Sequence, residues 1–215
     1  MAMPKYAPKP VFQTVGICSP YIAVLLGVFL LRNGFLAVLL YHLALLPCII
    51  RINKSSAIKL LFKGFHRIAG PLICLGGLVP GIVILYLWPL VRGEQVDLAK
   101  TLATLNLNGQ LFIFFAAYAY LVNPFLEESF WRGCFKNETR RPNAIDMLFA
   151  GYHALAVFPV LKLPFVCFVF AAMTVVGWLF RTLYRHTGGL LTPLLLHIIA
   201  DISILYAIWK IMQSS

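Results

Sequence analysis

The chain contains a succession of apolar stretches, each 16 to 24 residues long, separated by shorter polar connections that carry most of the basic residues. A helix needs roughly 17 to 25 mostly apolar residues to cross a hydrocarbon core of about 30 Å. The stretches therefore predict an all-α, polytopic membrane protein with about seven transmembrane helices. We expect these helices at Val15–Leu31, Asn33–Ile50, Ile68–Val91, Leu111–Leu126, Ala144–Leu161, Leu163–Phe180 and Leu190–Trp209.

The composition excludes several other classes of protein. Hydrophobic residues make up 61% of the chain and charged residues 12%, whereas soluble domains carry about 25% charged residues. Such hydrophobicity excludes intrinsic disorder, and it argues against a nucleic-acid-binding module, whose basic residues would line one water-facing surface. The five cysteines are scattered and mostly lie in apolar runs, which is typical of small hydrophobic residues. We expect one integral membrane domain over residues 1–215. It is expected to contact membrane lipid and not to bind nucleic acid.

The basic residues of the connections predict the orientation in the membrane, because short cytoplasmic loops are enriched in Lys and Arg. With seven helices, 13 Lys and Arg residues fall on the side of the N-terminus and 5 on the other side. We therefore expect a cytoplasmic N-terminus and an external C-terminus. The 13 residues are Lys5, Lys9, Arg51, Lys54, Lys59, Lys63, Arg67, Arg132, Lys136, Arg140, Arg141, Arg181 and Arg185.

The polar connection between the third and fourth helices contains a short amphipathic pattern. Leu98, Leu102 and Leu105 recur at helical spacing in the otherwise polar segment 97–110. This pattern is typical of a helix that lies in the membrane interface, with its apolar side toward the lipid. We expect a short helix of this kind at the external surface.

The ionisable residues within the predicted helices cluster in three short patterns near one another in the second half of the chain. A charged side chain at the centre of a membrane helix costs at least about 2.5 kcal/mol on insertion scales, so such residues are candidates for function. We expect a polar active-site cluster among the last four helices, in a core at about residues 111–209. The patterns are Glu127-Glu128-x-x-x-Arg132, Phe149-x-x-x-His153 and His197-x-x-x-Asp201.

Helical spacing indicates which of these side chains can meet. Glu128 and Arg132 are four residues apart and share a face, so they can pair, while Glu127 points about 100° away and is left for chemistry. His197 and Asp201 share a face for the same reason. Apolar residues around a carboxylate and an imidazole exclude water, which favours their use as acid and base.

The remaining histidines have simpler interpretations. His42 is isolated in the second helix and is interpreted as a hydrogen-bonding residue between helices. His66 and His186 adjoin basic residues and are expected to lie near anionic lipid headgroups. Phe149 is most simply explained by core packing.

The three patterns resemble the ordered motifs of the CPBP family, the CAAX proteases and bacteriocin-processing enzymes, also called the Abi family. The resemblance extends from about Phe125 to Asp201, and the first three helices resemble the family only in being hydrophobic. It implies a metal-independent intramembrane endopeptidase that needs no cofactor and hydrolyses a peptide bond in a membrane-associated peptide or protein. A bacterial cytoplasmic membrane is the expected location. The oligomeric state and the choice between prenylated and other substrates stay open.

The resemblance also implies roles for the motif residues. Glu127, supported by His153, would deprotonate a water molecule that attacks the peptide carbonyl, while Glu128 and Arg132 would organise the site. Because Arg132 precedes a basic segment, the site is expected near the cytoplasmic edge, with substrate arriving from that side.

His197 and Asp201 would face the oxyanion that develops during the reaction, which needs hydrogen-bond donors. An ionised Asp201 would repel an oxyanion. Either Asp201 is protonated, or it orients His197 instead.

Three other functions compete with peptide hydrolysis. A zinc hydrolase could use His153, His197 and one Glu as ligands, although a cation beside Arg132 is unfavourable. A non-catalytic bacteriocin-immunity or regulatory membrane protein of the same fold would use the polar cluster to hold its helices together. A transporter is disfavoured, because the two halves of the chain show no corresponding pair of broken helices.

Overall fold

The computed structural model describes residues 10–53, 56–65, 67, 69–135 and 139–214. Within these ranges, six helices are long and apolar enough to cross a membrane and no strand is formed, which confirms the expected all-α membrane protein. Lys5, Lys9, Lys54, His66 and Lys136 lie outside the described residues. The helices are α1 (Pro10–Val24), α2 (Gly34–Asn53), α3 (Ser56–Leu61), α4 (Ala69–Leu75), α5 (Val79–Val91), α6 (Leu98–Thr104), α7 (Gly109–Leu121), α8 (Asn123–Glu127), α9 (Ala144–Val157), α10 (Leu163–Thr187) and α11 (Leu191–Gln213).

Shorter helical turns join some of these helices into longer spans. A wide π turn over Leu25–Leu30 extends α1, a 3-10 turn over Gly76–Leu78 joins α4 to α5, and a second π turn over Glu128–Arg132 extends α8. The resulting spans agree closely with the predicted ones. They are Val11–Leu30, Gly34–Arg51, Gly70–Val91, Gly109–Arg132, Leu163–Thr187 and Leu191–Gln213.

The fifth predicted helix is shorter than expected. We predicted it over Ala144–Leu161, but α9 ends at Val157 because Pro159 has no N–H to continue the hydrogen-bond ladder. The N–H groups of Val160 and Leu161 instead bond back to the carbonyl of Val157, at 3.0 and 3.2 Å. Its 14 residues span about 21 Å, less than the thickness of the hydrocarbon core.

Hydrogen bonds between connections identify the two ends of the bundle. Arg92, after α5, forms an isolated antiparallel bridge with Leu161, and the N–H of Lys162 donates to Val91 at 3.0 Å. The segments that follow α5 and α9 therefore lie at the same end, as the predicted order of seven crossings requires. At the opposite end, the N–H of Leu190 donates to the carbonyl of Leu60 at 2.8 Å.

The short helix between the third and fourth spans is also observed. It is α6, and it is capped by Asp97, whose Oδ1 accepts a hydrogen bond from the N–H of Lys100 at 3.1 Å. Leu98 is buried against the protein, so this part of the apolar side faces the bundle and not the lipid. Helix α6 lies at the end of the bundle that includes Arg92. There the carbonyl of Leu105, the residue after α6, accepts a hydrogen bond from the N–H of Gly34, at the start of α2, at 2.9 Å.

Helices α5 and α11 approach each other at positions that only glycine fits. A Cβ atom at Gly81 would lie 2.2 Å from the carbonyl oxygen of Ser203, and one at Gly77 would lie 2.8 Å from that of Leu196. The Ser203 hydroxyl donates to the carbonyl of Gly77 at 2.8 Å and accepts from the N–H of Gly81 at 3.2 Å. Small residues and a hydroxyl thus join the third span to α11, as is common in membrane bundles.

Replacing Gly81 with Ala is expected to lower the free energy of unfolding by about 1–3 kcal/mol, because the added methyl group overpacks a backbone contact. The measurement is unfolding of the purified protein in mixed micelles. Gly76→Ala is the matched control, since a Cβ there meets nothing within 4 Å. Equal stability of the two variants would show that α5 and α11 are not packed this closely.

A buried ion pair fixes the start of α9 against α10. Arg181 donates through Nε to Oδ1 of Asp146 at 3.1 Å and through Nη2 to Oδ2 at 2.6 Å, and both residues are buried. Asp146 also accepts the N–H of Asn143 at 2.9 Å, which completes a capping box. The prediction that Arg181 lies in a connection was wrong, because α10 continues to Thr187 with this side chain paired inside the bundle.

Candidate active site

The acidic residues of the fourth span lie where its helix widens. After Glu127 the α8 helix changes into the π turn over Glu128–Arg132, in which the N–H of Gly133 bonds to the carbonyl of Glu128 at 3.0 Å. All five residues of this turn are buried, and so is Glu127. Turns of this kind insert one residue into a helix and often occur at functional sites. Here the turn holds two neighbouring carboxylates inside the bundle.

Glu128 joins the π turn to α11. Its Oε1 atom accepts hydrogen bonds from Nη1 of Arg132 at 3.1 Å and from Nδ1 of His197 at 2.8 Å. The expected pairing of Glu128 with Arg132 is therefore confirmed. The Arg132 guanidinium also lies 4.2 Å from the ring centroid of Phe149, whose predicted place in the core is confirmed by its 2% exposure.

Glu127 stands apart from this ion pair, as the helical spacing predicted. Its Oε1 accepts a hydrogen bond of 2.5 Å from the hydroxyl of Tyr152. Its Oε2 accepts no hydrogen bond from the residues that the structure describes, and it lies 3.7 Å from Nε2 of His197. One oxygen is thus held in place, and the other faces the centre of the cluster.

His153 approaches Glu127 through Tyr152. The Nδ1 atom of His153 lies 2.8 Å from the carbonyl oxygen of Phe149, and its ring centroid lies 4.2 Å from that of Tyr152. Because a carbonyl can only accept, Nδ1 carries the hydrogen, and Nε2 of the neutral ring has a free lone pair. Within the described residues, the hydrogen bond to Glu127 comes from Tyr152, the residue before His153 in α9.

His197 and Asp201 close the cluster from α11. The Nε2 atom of His197 lies 3.7 Å from Oδ1 of Asp201, the same distance as from Glu127. The Asp201 side chain is 19% exposed, whereas those of His197, Glu127 and Glu128 are 8% exposed or less. Asp201 is therefore the most exposed of the three carboxylates in the cluster, and His153 is part-buried as well.

Several residues of the site carried no signal in the sequence analysis. Tyr152 precedes His153 in an apolar helix and resembles an ordinary packing residue until its contact with Glu127 is known. Asn123 was equally inconspicuous, yet its Nδ2 donates to Oδ2 of Asp201 at 3.4 Å. His42 bonds Tyr118 and Asn123, which confirms the predicted interhelical hydrogen bonding.

The donor set does not match a zinc site. Among the described residues, no three His, Cys, Asp or Glu side chains are placed so that they could hold a metal ion. His197 Nδ1 and one oxygen of Glu128 are already joined to each other, and the same oxygen also accepts from Arg132.

Residues 109–203 match the family model described as type II CAAX prenyl endopeptidase, Rce1-like. The matched segment has 95 of the 215 residues and contains Glu127, Glu128, Arg132, His153, His197 and Asp201. Neither a curated protein nor a solved structure matches the chain. The match confirms the resemblance predicted from the three motifs, and like that resemblance it leaves out the first three spans.

Proposed function

We propose, from this family match, that the protein is an intramembrane endopeptidase of the CAAX-protease type that activates water with Glu127. The observation that carries the proposal is the burial and hydrogen bonding of the Glu127 side chain. Glu127 is buried, Tyr152 fixes one of its oxygens at 2.5 Å, and the other lacks a donor among the described residues. A fixed carboxylate with one unused oxygen in a water-poor site suits a general base.

In the proposed reaction, Oε2 of Glu127 takes a proton from water, and the water oxygen forms a bond to the carbonyl carbon of the peptide. The electron pair of the carbonyl double bond moves to its oxygen, which becomes an oxyanion. When the C–N bond breaks, Glu127 returns the proton to the nitrogen. The products are one new carboxyl group and one new amino group, so the reaction needs no oxidant, reductant or further reactant.

His197 is proposed to stabilise the oxyanion. Its Nδ1 donates to Glu128. Among the described residues, Nε2 is approached by two carboxylates at 3.7 Å, and it is proposed to donate to a substrate oxygen. Donation from both ring nitrogens corresponds to the imidazolium form, whose charge is opposite to that of the surrounding carboxylates. A preorganised donor of this kind lowers the barrier to acyl transfer.

His153 is proposed to orient the attacking water. Its Nε2 has a free lone pair because Nδ1 is committed to the carbonyl of Phe149. The centroid of the His153 ring lies 4.2 Å from that of Tyr152, the residue that donates to Glu127. Water bonded to both His153 and Glu127 would have one hydrogen directed to each acceptor.

The substrate is proposed to be a membrane-associated peptide or protein that enters beside Asp201, the most exposed carboxylate of the cluster. The basic residues Lys59, Lys63, Arg140 and Arg141 belong to segments at the end of the bundle where Leu190 bonds Leu60. This end is proposed to be cytoplasmic, in keeping with the enrichment of Lys and Arg in short cytoplasmic loops.

The test of this function is hydrolysis of a panel of quenched-fluorescent peptides, one of them with a prenylated Cys, by the detergent-purified protein. Each assay is run with and without a strong chelator, and the Glu127→Gln protein serves as the control for co-purifying peptidases. We expect cleavage that survives chelation and depends on Glu127. Cleavage abolished by the chelator would favour a metallopeptidase, and absence of cleavage would favour the regulatory or immunity role.

Replacing Tyr152 with Phe is expected to lower kcat by about 10- to 100-fold with little change in KM, because it removes a hydrogen bond to a charged group. The aromatic ring and its contact with the ring of His153 are retained. Tyr206→Phe makes the same chemical change on an exposed side chain of α11 and is expected to leave kcat unchanged. A wild-type kcat in Tyr152→Phe would mean that Glu127 is held by something else.

A further inference from the structure

A polar chain reaches the site from the second span. The hydroxyl of Tyr118 on α7 lies 2.9 Å from Nδ1 of His42 on α2, and Nε2 of His42 lies 3.0 Å from Oδ1 of Asn123 on α8. Nδ2 of Asn123 then donates to Oδ2 of Asp201 on α11 at 3.4 Å. Four helices are thereby connected by successive hydrogen bonds that end on a residue of the candidate active site.

The chemistry of these groups gives the chain a direction. The amide oxygen of Asn123 can only accept, so Nε2 of His42 carries the hydrogen. In a neutral ring Nδ1 is then the acceptor, and the Tyr118 hydroxyl is the donor. Each hydrogen therefore points along the chain toward Asp201, whose Oδ2 receives the last of them.

We propose that Tyr118, His42 and Asn123 are positioning residues that hold one oxygen of Asp201 and so turn the other toward His197. This inference rests on the proposed function, because the positioned group serves the reaction. In this role Asp201 is a fixed negative charge 3.7 Å from Nε2 of His197. It stabilises the imidazolium form, and the hydrogen on Nε2 stays available to the oxyanion. His42 is 3% exposed, and both of its ring nitrogens take part in these hydrogen bonds, as buried polar groups require.

A spectroscopic experiment tests the chain without requiring turnover. The full-length protein is labelled with ¹⁵N at the histidine rings and studied by NMR in micelles, with signals assigned by single substitutions. We expect the hydrogen of His42 on Nε2, and we expect the ring signals of His197 to shift in His42→Ala and in Asn123→Ala. A hydrogen on Nδ1 of His42, or His197 signals unchanged in both variants, would overturn the proposal.

A kinetic experiment separates positioning from structural support. We expect His42→Ala to lower kcat about 10-fold with KM unchanged, and His42→Gln to recover most of it, because its amide can donate to Asn123. In an Asp201→Ala background, His42→Ala is expected to have no further effect on kcat. The same fold loss in both backgrounds would assign His42 to the fold alone.

A matched pair of tyrosines supplies the control. Tyr118→Phe removes the first donor of the chain and is expected to change the His42 signals, whereas Tyr120→Phe, two residues further along α7, leaves them as in the wild type. If the wild-type protein cleaves no peptide, the proposed function fails, and the NMR experiment still decides whether the chain reaches His197. If peptides are cleaved but the His197 signals do not change in His42→Ala, the proposed function stands and only the positioning chain is wrong.

Discussion

Substituting Glu127 with Gln is expected to reduce kcat for peptide hydrolysis by about 10²- to 10⁴-fold, the usual contribution of a general base. Gln has nearly the same shape, and its amide oxygen can still accept the hydrogen bond from Tyr152. The other terminal atom becomes an NH₂ group, which has no basic lone pair to take a proton from water. The expected loss is therefore chemical, with the site still assembled.

The control for this substitution is Glu94→Gln, an identical change on an exposed residue of the connection between α5 and α6. Both variants are purified in the same detergent, and kcat, KM and the free energy of unfolding are measured together. We expect the Glu94 variant to match the wild type in all three. A Glu127→Gln protein that retains its kcat would remove this residue from the reaction and leave the cluster with a structural role.

Asp146→Ala is expected to lower the free energy of unfolding by about 3–5 kcal/mol, because it leaves the buried guanidinium of Arg181 without its counter-charge. Arg181 is 1% exposed, and water does not replace the lost carboxylate. Two hydrogen bonds from Arg181 to backbone carbonyls, those of Thr139 and Arg141, are retained. These carbonyl oxygens accept hydrogen bonds but have no net negative charge to balance the guanidinium.

The natural comparison is Asp97→Ala. Asp97 also caps a helix and also pairs with a basic residue, but its partner Lys100 has an 86% exposed side chain. We expect a much smaller loss of stability there, because water screens the pair. The double variant Asp146→Ala, Arg181→Leu is expected to be more stable than Asp146→Ala alone, since no unpaired charge remains. If Asp146→Ala and Asp97→Ala cost the same, the ion pair is not buried in the folded protein.

The spans could be predicted from sequence because their signal is local. A run of apolar residues has to become a helix in lipid, where every backbone N–H needs a partner within the segment. The end of α9 was misplaced for a related reason. Residues 158–161 are apolar enough to continue the run, and a Pro such as Pro159 is tolerated within membrane helices. The hydrogen bonds of Val160 and Leu161 to Val157, and the bridge of Leu161 with Arg92, show that the chain turns here.

The site was predictable where its contacts lie within one helix. Spacing of four residues identified the pairing of Glu128 with Arg132 and the approach of His197 to Asp201. Contacts between helices carry no such periodicity. The hydrogen bond from Tyr152 to Glu127 depends on how α9 is rotated against α8, and that rotation is determined by packing across the whole bundle.

The link from Glu128 to His197 has a consequence for biogenesis. The two residues are separated by 69 positions, so a growing chain inserts both glutamates well before the ribosome has made their partner on α11. During that interval Arg132 is the only cation among the three motifs. Packing of α11 against the earlier spans is therefore the step that brings His197 to Glu128. A nascent chain interrupted before that step would place both glutamates in the bilayer without this histidine.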